Sequence, residues 1–156
     1  MLSFIHTPHL PHSLLARLAL GFLFFVCGLA MLKGGKTERV VAGAAIVNEL
    51  IYLMVYHPFD DVRAQWEAMW IDLAYALVIA AAAIKWNRTW AKYAAAFELL
   101  IVGTHIGAGL DLRIATFFEY WSAAIWTSAV NWSILIGTVQ VIWQDRKARR
   151  RAAATA

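Results

Sequence analysis

The residues that could do chemistry in this chain are those whose charge is out of place. Glu49, Asp72, Glu98 and His105 are ionisable side chains set in stretches that are otherwise apolar, and Asn48 and Asn131 are neutral polar companions in similar surroundings. A carboxylate at the middle of a bilayer costs about 2.5–3.5 kcal/mol on insertion scales, whereas a hydrogen bond between helices contributes about 0.6 kcal/mol on average and at most about 1.7. Stability alone does not account for three such acids. Each must be protonated, partnered or facing water. Two chemistries follow. Carboxyl and imidazole groups strung through a membrane form proton relays or ion paths. Alternatively, each acid is a protonated hydrogen-bond lock between helices, with Tyr52 or Tyr75 as its partner.

Spacing sharpens the first option. At 1.5 Å per helical residue, Glu49 stands about 15 Å beyond Arg39, Glu98 about 9 Å and His105 about 20 Å beyond Lys92. The expected order of depth is Asp72, His105, Asn131, Glu49, Glu98. Glu98 and His105 are seven residues apart and share a helix face, as do Glu49 with Tyr52 and Tyr56, Asp72 with Tyr75, and Thr127 with Asn131 and Thr138. If these stripes converge, the bundle has a polar interior.

The elements that must carry these residues are apolar segments of membrane-spanning length. Of 156 residues, 62% are hydrophobic and only 15% charged, far from the composition of a soluble domain. A bilayer core about 30 Å thick needs roughly 20 apolar residues per helix. Five candidate spans fit, at 14–32, 40–56, 68–84, 93–110 and 117–143, in one membrane domain with a basic tail at 144–156. They lack the period-two alternation of barrel strands, so the expected fold is an all-α bundle of five transmembrane helices. Ser13, Thr37 and the Thr116–Glu119 capping-box spacing predict helix starts, and Gly34–Gly35 predicts a left-handed stop. The fifth span, about 27 residues, must tilt or project. With only Arg17 at its front and Lys33, Lys36 and Arg39 behind, the first span reads as a retained helix rather than a cleaved signal.

Charge placement sets the expected orientation. Lys33, Lys36 and Arg39, then Lys85, Arg88 and Lys92, then Arg146, Lys147, Arg149, Arg150 and Arg151 fall on one side, eleven of the 14 basic residues, leaving Arg17, Arg63 and Arg113 on the other. Basic loops stay in the cytoplasm, which predicts the N-terminus outside and the C-terminus inside. Trp66, Trp70 and Trp121 suit one interface and Trp86, Trp90 and Trp143 the other; Trp126 and Trp132 lie deeper, where helix packing would hold them. Arg146, Lys147, Arg149, Arg150 and Arg151 are expected against anionic lipid headgroups, a topology anchor with no accompanying nucleic-acid motif.

Gly103 and Gly107 have the GxxxG spacing that lets helices approach, within the bundle or between copies. His6, His9 and His12 would stand about 9 Å apart in an extended polyproline segment, too far to share one metal; a metal site would need a turn gathering them with His57, Asp60 or Asp61. The single cysteine, Cys27, precludes an internal disulfide. Neither a phosphate loop, a zinc-protease motif nor a nucleophile elbow is present, and a lone intramembrane histidine does not make a bis-histidine haem site. No cofactor is expected.

Ala94–Glu98, Thr104–His105, Leu110–Arg113 and Tyr120–Ser122 together resemble a family of small multi-pass proteins in alphaproteobacterial genomes. The likeness covers the last two thirds of the chain. It implies a bacterial inner-membrane setting and carries no activity with it.

The reading these residues favour is a non-enzymatic packing or accessory subunit of a homo- or hetero-oligomeric membrane assembly, in contact with anionic lipid and not with nucleic acid. The alternative is a proton or cation channel or coupled transporter, a holin-like pore included, built on Glu49, Asp72, Glu98, His105 and Asn131.

Overall fold

The computed structural model describes residues 14–55, 62–110 and 115–154. It is all-helical, with α1 Leu14–Lys33, α2 Lys36–Val55, α3 Val62–Trp86, α4 Thr89–Leu110 and α5 Ala115–Ala154. Three stretches, Trp66–Trp86, Thr89–Leu110 and Ala124–Ala154, are long and apolar enough to cross a membrane. The helices reach beyond the apolar spans drawn from the sequence because their polar ends keep good helix formers. The largest extension is the basic tail. It continues α5 to Ala154, so that this 40-residue helix is about 60 Å long.

Each helix packs on its neighbour in the chain, and α5 returns to α1, closing a ring; α2 and α5 also touch. Small side chains allow the close approach. The core joins Leu23, Val26, Cys27 and Ala30 of α1 to Val41, Ala42 and Ala45 of α2, Tyr75, Ile79, Ala82 and Ala83 of α3, Trp90, Ala91, Ala94 and Ala95 of α4, and Val130 and Ile134 of α5. Large apolar residues point away from the ring, among them Leu32, Ile84 and Leu110, each more than three-quarters exposed. An apolar exterior around buried polar groups is the arrangement lipid demands and water penalises.

The turns revise three expectations. Gly34–Gly35 adopts no left-handed conformation; the glycines are there for space, since a Cβ on Gly34 would collide with the Ala30 carbonyl and the Glu38 Cβ. The left-handed residue is Asn87, at φ 48°, where the α3–α4 turn is held by Lys92 Nζ donating to Asn87 Oδ1 at 2.9 Å. Such a φ is tolerated best by glycine and asparagine. Thr37 is not a cap: α2 already begins at Lys36, and Thr37 is buried in its first turn. Likewise α5 is helical from Ala115, which puts Thr116 inside it. The side chains of Thr116, Glu119 and Trp121, and all of Ser13, lie outside the described residues.

Candidate buried polar site

Asp72 projects from α3 into the ring and is 5% exposed. Its Oδ2 lies 3.0 Å from Nε2 of His105, on α4, which is 2% exposed. Its Oδ1 accepts a 3.2 Å hydrogen bond from Nδ2 of Asn48, on α2. One carboxyl thus gathers three helices. His105 stands two turns from Glu98 on the buried face of α4, as their spacing requires. Glu49 and Glu98 both lie within electrostatic reach of Asp72, and Tyr75 within reach of Asp72, Glu98 and Cys27. Cys27 is in turn within reach of Glu49. Asn48, Asp72 and His105 thus bring polar side chains of α2, α3 and α4 together.

The partners differ from those the sequence suggests. Tyr75 does not lock an acid: its buried hydroxyl has no hydrogen-bond partner among the described residues. An orphaned hydroxyl in a polar interior marks a place for water. Asn131 is buried on α5 between Val130 and Ile134. Thr138 spends its hydroxyl on its own helix, donating to the Ile134 carbonyl at 2.9 Å. Thr104 does the same toward Leu100 at 2.8 Å. A groove of about 480 Å³ between α2 and α3, with Asn48 and Tyr75 in its lining, brings the cluster near the outer surface of the ring.

Beyond the cluster, towards the end bearing the α1–α2 and α3–α4 turns, Val26, Val41, Ile79 and Ile134 are completely shielded. They belong to one packed apolar core. Below it lies a buried acid that sequence reasoning missed. Glu38 is 1% exposed, and its Oε1 accepts a 3.0 Å hydrogen bond from Trp90 Nε1. Its Oε2 is buried without a hydrogen-bond partner. Flanked by Lys36 and Arg39, Glu38 looks like loop charge; its place in the first turn of α2 is the one signal that it could fold inward.

Other expected sites fall elsewhere. Gly103 and Gly107 have nothing near a Cβ built on either among the described residues. Trp126 stacks on Phe97 at 6.1 Å, and Trp132 packs on Phe22 at 5.2 Å while remaining half exposed. Arg146, Lys147, Arg149, Arg150 and Arg151 lie on the exposed end of α5, with Lys147 Nζ 5.1 Å from the Trp143 ring. Tyr56, His6, His9, His12, His57, Asp60, Asp61, Asp111 and Arg113 lie outside the described residues.

Comparison with protein families, with curated proteins and with solved structures found no match. The functional reading rests on the site itself.

Proposed function

We propose that this chain is a non-enzymatic protein of a bacterial inner membrane that crosses the bilayer five times, N-terminus outside and C-terminus inside, and handles protons or small cations. The observation that carries this reading is the buried Asp72–His105 pair. A carboxyl and an imidazole 3.0 Å apart can hold one proton between them and pass it to water. Glu49 and Glu98 stand near enough to Asp72 for the occupancy of one group to bias the others. Asn48 would orient the Asp72 carboxyl, and the orphaned Tyr75 hydroxyl would hold a water between the acids.

The test is proton flux in liposomes under an imposed pH gradient. Asp72→Asn keeps the shape and removes the charge. Flux that falls to the protein-free background in this variant supports the reading; equal flux in the two proteins overturns it.

The accessory-subunit reading is favoured by a different observation, the unoccupied glycine face at Gly103 and Gly107. Such a face admits a helix of a second copy or of another membrane protein. A chain that is silent in liposomes and purifies with a stoichiometric partner belongs to that reading.

A further inference from the structure

The second buried acid has a geometry that the Asp72 cluster lacks. The Asn48–Asp72 and His105–Asp72 bonds join neighbours in the ring. The Trp90–Glu38 bond joins α4 to α2, which do not otherwise approach one another closely among the described residues. The indole therefore reaches past α5, which itself touches α2, to the first turn of α2. It is seated on Gly137 of α5, where a Cβ would come within 2.5 Å of the indole Nε1 and Cε2. Glu38 is seated by a second glycine: a Cβ on Gly35 would lie 2.9 Å from Glu38 Oε2. Three helices are thus clasped at one end of the ring by a single large ring system and a single carboxyl, both buried.

The other half of the carboxyl points to a ligand. Glu38 Oε2 is fully buried and unbonded, and a carboxylate oxygen left without a donor costs more than the bond made by its twin contributes. No described cation satisfies it: the neighbouring Arg39 turns its Nε to the Gly34 carbonyl instead, at 3.1 Å.

We propose that Glu38 and Trp90 form a gated water site at the mouth of the ring that carries the basic turns. Glu38 Oε2 binds a water admitted from that face. The Trp90 indole, latched to Oε1 and seated on Gly137, separates this water from the packed core that holds Cys27 and from the polar cluster beyond it. The inference rests on the ring crossing a membrane, but not on Asp72 and His105 carrying protons.

Cys27 provides the test. It is the only cysteine, it is fully buried, and it belongs to the same packed core as Trp90. A charged, membrane-impermeant methanethiosulfonate is added to vesicles on the face bearing Lys36 and Arg88, and the rate of Cys27 modification is measured. Trp90→Phe keeps the ring and removes the donor; losing one buried hydrogen bond raises an opening equilibrium by up to about tenfold, and labelling should accelerate accordingly. Trp90→Ala should exceed it. Gly137→Ala displaces the indole without removing it, and should accelerate labelling even if the Trp90→Ala protein does not fold. Unchanged labelling in Trp90→Phe and Gly137→Ala overturns the gate, and so does an equal acceleration with reagent on the opposite face. Neither result touches the proton flux assigned to Asp72, so the two claims fail separately.

Discussion

At the scale of single residues, the account turns on whether Asp72 and His105 are a functional pair or a structural one. Removing one partner of a buried pair costs about 3–5 kcal/mol, because the other is stranded, whereas replacing both by apolar residues is often close to neutral. His105→Leu should therefore destabilise the bundle strongly in detergent thermal unfolding. The double variant Asp72→Leu/His105→Leu should recover most of that loss while remaining inactive in flux. Recovery of both stability and flux would make the pair ornamental. Gly137→Ala belongs to the same scale. The added methyl meets the Trp90 ring at 2.5 Å, and overpacking of this kind costs about 1–3 kcal/mol, readable as a lowered Tm. The sequence exposed Asp72, His105 and Glu98 because a charge in an apolar run has no ordinary explanation. It concealed Glu38, whose neighbours Lys36 and Arg39 make a charge look commonplace, and it could not pair Asp72 with Asn48, a contact between residues 24 apart that only the packing of α2 on α3 creates.

At the scale of elements, helix bodies were legible and helix ends were not. Apolar runs of about 20 residues placed all five helices, since burying or embedding that surface dominates the energetics. The ends depend on smaller effects. Gly34–Gly35 carries the composition of a left-handed stop but is used for clearance, while the left-handed residue is Asn87. The end of α5 is the clearest case. Arg146–Arg151 reads as a basic tail that follows the fifth span, yet the helix continues through it to Ala154. A helix presents Arg146, Lys147 and Arg150 together beside Trp143, which line one shallow concavity. Each cation near an anionic surface contributes about 1 kcal/mol. Neutralising these three to glutamine should weaken the preference for anionic over neutral lipid in nanodiscs by about 3 kcal/mol at low salt, and high salt should erase the difference between variant and wild type. A variant with unchanged lipid preference would reduce this end of α5 to a topology signal.

At the scale of the whole molecule, the arrangement is a closed ring, apolar outside and polar at two levels within. One level is the Asp72 cluster and the other is Glu38 with Trp90, and both adjoin the packed core that contains Val26, Val41, Ile79 and Ile134. The descending series expected from depth, Asp72, His105, Asn131, Glu49 and Glu98, does not contain the second level, because Glu38 sits among the charges of the first basic turn. Buried polar groups under an apolar exterior suit a ring embedded in a bilayer and not one lying on its surface. All functional claims therefore depend on how the chain crosses the bilayer. The direct measurement is to place a reporter at each terminus in turn, one that is active only in the cytoplasm and one only outside it, and to compare the two ends in intact cells. Five crossings predict ends on opposite faces, and the placement of the basic residues predicts the amino end outside and the carboxyl end in the cytoplasm. Finding both ends on the same face would contradict five crossings and, with them, the two-level interior as a route across the membrane.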